Sequence, residues 1–122
     1  MTIGSSDALP LSDTPFGCTV HRRLHVSAIE LEGELDLAAR DTLEDAIVTA
    51  VEPGPVETVV VDMTRVTFAD STTLAWLVAA EARMQASGGR LLAVIGPGPV
   101  LNLLQLTGLD RHLTLVEHAR MR

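Results

Sequence analysis

Residues 59–77 read VVVDMTRVTFADSTTLAWL and decide the fold of the chain. They join an apolar run, a short polar stretch, the triplet Asp70-Ser71-Thr72 and an amphipathic helical pattern. An apolar run bounded by polar residues is typical of a strand buried on both faces of a parallel sheet. Asp, Ser and Thr accept hydrogen bonds from the free amides at a helix start. The stretch therefore predicts hydroxyl groups where a central strand ends and a helix begins, the place where open α/β sheets engage ligands and partners.

The composition indicates one globular domain. The chain has 122 residues, of which 47% are apolar and 20% are charged, a balance that predicts a folded core rather than disorder. The aromatic residues are Phe16, Phe68 and Trp76, so no base-stacking surface for nucleic acid is expected. The formal net charge is −7, which repels nucleic acid and anionic membranes and favours a protein partner.

The missing residue types exclude several chemistries. All nine Lys+Arg positions are arginine, so the chain has no Walker-type lysine, no Schiff-base lysine and no response-regulator lysine. Cys18 is the single cysteine, which excludes an internal disulfide and favours a reducing compartment. The first residues show no signal-peptide pattern, and no apolar run approaches membrane-spanning length. We therefore expect a cytoplasmic protein without membrane association.

The order of apolar patterns and turn residues predicts an α/β fold. Residues 1–16 lack periodicity and are interpreted as a flexible tail, and residues 17–122 as the folded domain. Two strand patterns within residues 17–33 predict a hairpin with an antiparallel edge strand. The later patterns alternate: a helix after Asp36, a strand at 56–63, a helix after Ser71, a strand at 91–95, a helix at 100–107 and a strand at 112–116. The order β-β-α-β-α-β-α-β implies a mostly parallel sheet with right-handed crossovers.

Ser71 does not match the pattern of a catalytic serine. Its neighbourhood has Ala69 and Thr73 where the G-x-S-x-G elbow has glycines, and that elbow is what exposes the nucleophile in the hydrolases that use it. No motif places a histidine such as His112 beside it. We therefore expect no enzymatic activity.

Metal binding is also not expected. No His or Cys pair has the spacing of metal ligands. Asp36, Asp62 and Asp70 could converge at strand ends and hold a cation, but without a lysine we interpret them as helix caps and surface carboxylates. The sequence thus predicts neither a metal nor another cofactor.

Ser71 can act as a cap, as a switch or as both. A serine at a helix start usually only caps the helix. A phosphoryl group on Ser71 would add about −1.5 to −2 charges beside Asp70, and the helix dipole would stabilise that charge by about 0.3–1 kcal/mol. A partner docked over the same spot would not tolerate it. Modification would then block binding and leave the fold intact.

Five segments carry a resemblance to a known family. They are residues 31–36 (LEGELD), 59–62 (VVVD), 66–74 (VTFADSTTL), 88–89 (GG before a strand) and 106–109 (LTGL). In this order and spacing, over about residues 17–116, the chain resembles the anti-sigma factor antagonist family, the STAS domain. The resemblance implies a single STAS-like domain with an antiparallel N-terminal edge strand and helices packed against the sheet.

The resemblance also implies a bacterial partner-switching regulator without catalysis of its own. In that family a serine in the position of Ser71 is phosphorylated by an anti-sigma factor that is also a serine kinase. The unphosphorylated domain binds this partner and releases a sigma factor, which acts on transcription, and a serine phosphatase restores it. By the same resemblance Asp70 would orient the acceptor serine, and Asp36, Thr72 and Leu74 would lie at the partner surface.

Two departures from the family pattern modify these expectations. Thr73 stands where the family usually has glycine, which narrows the space for a kinase and makes Thr72 and Thr73 secondary acceptor candidates as well as partner-binding residues. The chain ends before the family's usual C-terminal helix, so less of the sheet would be covered, and a monomer or a weak homodimer is expected. The alternatives are a constitutive STAS scaffold or adaptor in which Ser71 is only a cap, and a small hydrolase that uses Ser71.

Overall fold

The computed structural model describes residues 16–52 and 56–117 as alternating strands and helices. In chain order these are β1 (Phe16–Arg22), β2 (Val26–Leu35), a 3-10 turn (Leu37–Ala39), α1 (Arg40–Val51), β3 (Thr58–Ala69), α2 (Ser71–Ala86), β4 (Arg90–Ile95), α3 (Pro99–Thr107), a second 3-10 turn (Leu109–His112) and β5 (Leu115–Glu117). The predicted order of elements is therefore confirmed. Within the described ranges, no helix combines the length and the apolar character needed to cross a bilayer.

The ends of the predicted domain are only partly within the described residues. Residues 1–15 of the predicted tail and residues 118–122 of the predicted domain lie outside them. Phe16, which we predicted to be the last residue of the tail, is instead the first residue of β1 and pairs with Gly33 of β2. Strand β1 begins at Phe16 because its residues pair with β2 from Ser27 as far as Gly33, which is almost the full length of β2.

The five strands form one mixed sheet in the order β1-β2-β3-β4-β5. Strand β1 is antiparallel to β2, and the other neighbouring pairs are parallel, as the hairpin prediction required. The strand order never reverses along the chain. Right-handed crossovers between successive neighbours then place every connecting helix on the same face of the sheet.

Burial along β3 shows this one-sided cover. Val59, Val61 and Met63 are at most 2% exposed, whereas Val60 and Asp62, which alternate with them, are half-buried. Our prediction of a strand buried on both faces is therefore wrong. The three consecutive valines alternate between a covered and an open face, as a strand with helices on one side must.

The covered face packs against α1 and α2. Helix α1 contacts β1 and β2, and helix α2 contacts β3, β4 and α1. The last turn of α1 is tied to the hairpin because the Ser27 hydroxyl donates to the Ala50 carbonyl oxygen at 2.7 Å. Arg22 Nη1 donates to the same oxygen at 2.7 Å and to the Glu52 carbonyl at 3.1 Å. These bonds satisfy carbonyls that a helix end leaves without partners.

Strands β2 and β3 continue as a pair beyond the point where the pairing of β3 with β4 ends. The β3–β4 pairing ends at Asp62 and Val94, but β3 continues to Ala69, which pairs with Leu35 at the end of β2. Our predicted strand, which ended at residue 63, was too short because residues 64–69 are mostly polar or exposed and lack a clear alternation. The extension, which we call the tip, carries the starts of both α1 and α2.

We expect alanine substitutions on the two faces of β3 to differ in cost. Val61→Ala removes methyl groups from a fully buried site and should lower the free energy of unfolding by about 2 kcal/mol, whereas Val60→Ala should cost less than about 1 kcal/mol. Both variants lose the same β-propensity, so their difference isolates burial. Urea unfolding followed by Trp76 fluorescence measures it. Equal costs would show that both faces of β3 are packed.

Candidate functional site

The tip joins the end of β2 to the start of α2 through one carbonyl. The Leu35 carbonyl oxygen accepts hydrogen bonds from the Asp70 amide at 3.2 Å and from the Thr73 hydroxyl at 3.0 Å. Leu35 and Thr73 are both fully buried. The position of the first turn of α2 is therefore fixed against β2 as well as against its own strand.

Asp70 is the N-cap of α2. Its backbone is extended, and its Oδ1 accepts from the Thr72 amide at 3.0 Å and the Thr73 amide at 3.2 Å. The sequence left Asp70, Ser71 and Thr72 as equivalent capping types. In the structure the cap is Asp70, and Ser71 is the first helical residue. The hydrogen bonds of the Asp70 carboxylate go to backbone amides, so its geometry serves the helix start.

Ser71 is exposed at the start of α2. Its hydroxyl makes no hydrogen bond to any of the residues that the structure describes. Two grooves meet at this side chain. One, of about 800 Å³, runs between α1 and α2 and is lined by Arg40, Glu44, Ile47, Ser71, Trp76 and Arg83, among others. The other, of about 430 Å³, is mostly apolar and runs from Ser71 along the adjoining side of α2 to Thr107 and Leu109.

The three residues after Ser71 are all less exposed to solvent than Ser71 itself. Thr72 is half-buried, Thr73 is fully buried and Leu74 is 3% exposed. A kinase cannot reach the Thr73 hydroxyl, which already donates to Leu35 inside the fold. The expectation that Thr73 is a secondary acceptor and a partner contact is corrected for this reason. Leu74 likewise offers little surface to a partner.

Asp36 stands on the other side of the tip, where β2 gives way to α1. Its Oδ1 accepts from the Ala38 amide at 3.0 Å and so caps the 3-10 turn that precedes α1. Leu37, the next residue, is 62% exposed, and Phe68 near the end of β3 is 49% exposed. Sequence reasoning missed these two apolar side chains. An apolar residue directly after a capping aspartate was the available signal for Leu37.

The other candidate chemical groups do not gather at the tip. Asp62 lies before the β3 extension, and its Oδ1 accepts from the amide and the hydroxyl of Thr64, so it does not join Asp36 and Asp70. Over residues 16–52 and 56–117, no cluster of three His, Cys, Asp or Glu side chains is suited to a metal ion. Burial raises the pKa of the Cys18 thiol to about 11, which keeps it protonated and unreactive.

Comparison with known proteins gives one family and one fold. The family model described as "Mlab, STAS domain" matches residues 18–117. The crystal structure of an anti-sigma factor antagonist from Mycobacterium paratuberculosis is 27% identical, with a TM-score of 0.74, covering 85% of this chain and 87% of that one. No curated protein matches the chain at a significant level.

Two structures of SpoIIAA show the same fold. The anti-sigma factor antagonist SpoIIAA in its unphosphorylated form is 23% identical, with a TM-score of 0.71, covering 84% of this chain and 89% of that one. The Bacillus cell fate determinant SpoIIAA in the phosphorylated form is 24% identical, with a TM-score of 0.65, covering 84% and 92%. At this level of identity the likeness concerns the fold alone.

Two variants test whether Asp70, and not Ser71, stabilises the start of α2. Asp70→Ala removes the acceptor of two amide hydrogen bonds and should lower the free energy of unfolding by about 1 kcal/mol. Ser71→Ala removes a hydroxyl that makes no hydrogen bond within the described residues and should change this free energy by less than about 0.5 kcal/mol. Chemical denaturation of both variants beside the parent protein tests this. A larger loss for Ser71→Ala would mean that the serine supports the helix.

Proposed function

The chain belongs to the STAS domain family, and from this premise we propose that it is an anti-sigma factor antagonist that switches partners through Ser71. Unphosphorylated, it would bind an anti-sigma factor that is also a serine kinase and thereby release a sigma factor. Phosphorylated at Ser71, it would lose that partner until a serine phosphatase restores it. The protein would act in the cytoplasm and have no catalytic activity of its own.

The free hydroxyl of Ser71 is the single observation that carries this proposal. It is exposed, it makes no hydrogen bond within the described residues, and its neighbour Asp70 already caps the helix. A covalent change at Ser71 therefore breaks no contact of the fold. A structurally similar antagonist is known in both phosphorylated and unphosphorylated forms, which supports a switch of this kind here.

The proposed modification is a transfer from ATP bound to the partner. The Ser71 oxygen would attack the γ-phosphorus, the bond between that phosphorus and ADP would break, and the hydroxyl proton would pass to a base of the kinase. Positioning and charge stabilisation come from the kinase, so the antagonist has only to present an accessible hydroxyl. Thr72, which is half-buried, is the secondary acceptor that remains in the proposal.

The proposed docking surface surrounds Ser71 at the tip. Leu37 and Phe68 supply exposed apolar area, while Asp36, Asp70 and Thr72 supply polar groups beside it. A partner that buries this surface would also bury the site of the new charge. Burying a phosphoryl group of about −1.5 to −2 charges away from water is costly, and this cost would expel the partner after phosphorylation.

Binding of acidic variants tests the switch. Ser71→Asp should weaken binding to the cognate anti-sigma kinase by about 30-fold or more, which corresponds to about 2 kcal/mol. Ser87→Asp places the same charge on an exposed serine at the other end of α2; it removes the hydrogen bond from the Ser87 hydroxyl to the Met84 carbonyl but should leave the affinity nearly unchanged. Calorimetry with purified candidate kinases measures both, and the melting temperature of each variant confirms that it is folded.

A phosphorylation assay separates the switch from a constitutive adaptor. Incubation with a candidate kinase and ATP, followed by peptide mass spectrometry, should place the phosphoryl group on Ser71 and should give no signal from Ser71→Ala. A kinase that binds tightly, leaves every serine unmodified and also binds Ser71→Asp would contradict the switch and favour the adaptor.

A further inference from the structure

Arg40 is the first residue of α1, as Ser71 is the first residue of α2, although Arg40 follows the 3-10 turn Leu37–Ala39 and Ser71 directly follows its cap Asp70. The two helices follow neighbouring strands: α2 begins directly after Asp70 at the end of β3, and α1 begins after the 3-10 turn that follows β2. Both side chains line the groove of about 800 Å³ between α1 and α2. The Arg40 side chain is 60% exposed, so its guanidinium can change partners without disturbing the core.

Arg40 gains little stability from contacts within its own helix. Its ion pair is with Glu44, at 3.6 Å between Nε and Oε2, with both side chains more than half exposed. An Arg that precedes its Glu by four residues is the weaker order for a helical pair, and exposed pairs contribute little in any order. The Arg40 guanidinium is therefore held only weakly by Glu44 and is available to a stronger anion in the same groove.

We infer that Arg40 is the internal charge partner of a phosphoryl group on Ser71. This inference rests on the proposed function, because it concerns the modified form. The amides of Thr72 and Thr73 already bond the Asp70 carboxylate, so they are not free to hold a phosphate. The new charge would also lie beside the negative charge of Asp70. A guanidinium that binds two phosphate oxygens at once is the side chain best suited to offset both effects.

The other arginine that lines the groove is too far away to do this. Arg83 lies twelve residues after Ser71 on α2, or about 18 Å along the helix axis, and its Nη2 is 3.9 Å from Glu52 Oε2. It shares the groove and the charge of Arg40 but not the position at the tip. Arg83 is therefore a matched control for the loss of one positive charge.

Phosphorylation would therefore have two effects on the partner surface. It would add negative charge at Ser71, and it would move the Arg40 side chain. The guanidinium leaves Glu44 and turns toward Ser71, which changes the charge at the mouth of the groove at two positions. A partner surface that recognised the unmodified tip would then meet a phosphoryl–guanidinium pair. The same pair would keep the phosphoryl group close to the body of the domain.

Phosphorus NMR of protein with phosphoserine placed at position 71 by genetic code expansion tests the inference without any kinase. The second pKa of the phosphoserine is about 6 when it is unperturbed, and a nearby guanidinium lowers it. Relative to the parent phosphoprotein, Arg40→Gln should raise this pKa by about half a unit or more, and Arg83→Gln by clearly less. About 1 M salt should reduce the difference, since the groups are exposed.

The comparison holds the other charged groups of the site constant. Asp36 and Asp70 at the tip and Glu44 across the groove remain in all variants, and none of the described histidines lines this groove. Equal pKa values for Arg40→Gln and Arg83→Gln would overturn the inference. Because the phosphoserine is installed directly, a shift confined to Arg40→Gln would support the charge pair even if no kinase modifies Ser71. In that case only the proposed function would fail.

Discussion

The geometry of the site depends on the carbonyl oxygen of Leu35. It lies at the end of β2 and accepts two hydrogen bonds from the start of α2, one from a backbone amide and one from a threonine hydroxyl. Leu35 is fully buried, where an unpaired polar group is costly. Together the two hydrogen bonds hold the first turn of α2 against the end of β2. They thereby fix the position of this turn relative to the loop that carries Asp36 and Arg40.

Neighbouring residues at the start of α2 therefore have different roles. Asp70 and Thr73 hold the helix start, and Ser71 between them bonds nothing within the described residues. A fold that bonded Ser71 into the cap could not modify it without weakening the helix. The one-sided sheet supports the same division, since α1 and α2 lie on one face and their starts meet at the projecting end of β2 and β3. The surface available for a partner is therefore set by long strands and by buried bonds away from the serine.

Local patterns predicted most of the fold but not the cover of the sheet. The hairpin and the alternation of helices and strands follow from spacing over short windows, and they were confirmed. Whether helices cover Val60 depends on which face of the sheet each crossover connection lies on. That face follows from the order of all the strands. Three consecutive valines fit a doubly covered strand and a singly covered one equally well, so no local reading could separate the two.

Residue type also could not assign the roles within Asp70-Ser71-Thr72-Thr73. All four side chains can cap a helix, and the choice of Asp70 follows from where β3 ends. The contact that buries Thr73 joins it to a residue 38 positions earlier, which no motif reveals. The sequence predicts that the Thr73 side chain narrows the space for a kinase. In the structure its hydroxyl donates to the Leu35 carbonyl, a bond that a glycine at this position could not make.

Arg40 and Ser71 are both weakly engaged in the unmodified fold. The Arg40 guanidinium has an exposed ion pair with Glu44, and the Ser71 hydroxyl stands at a helix start without capping it. Both side chains line one groove. Each would be accounted for if negative charge were added to the serine, because the arginine would then face an anion and the hydroxyl would have served as its acceptor.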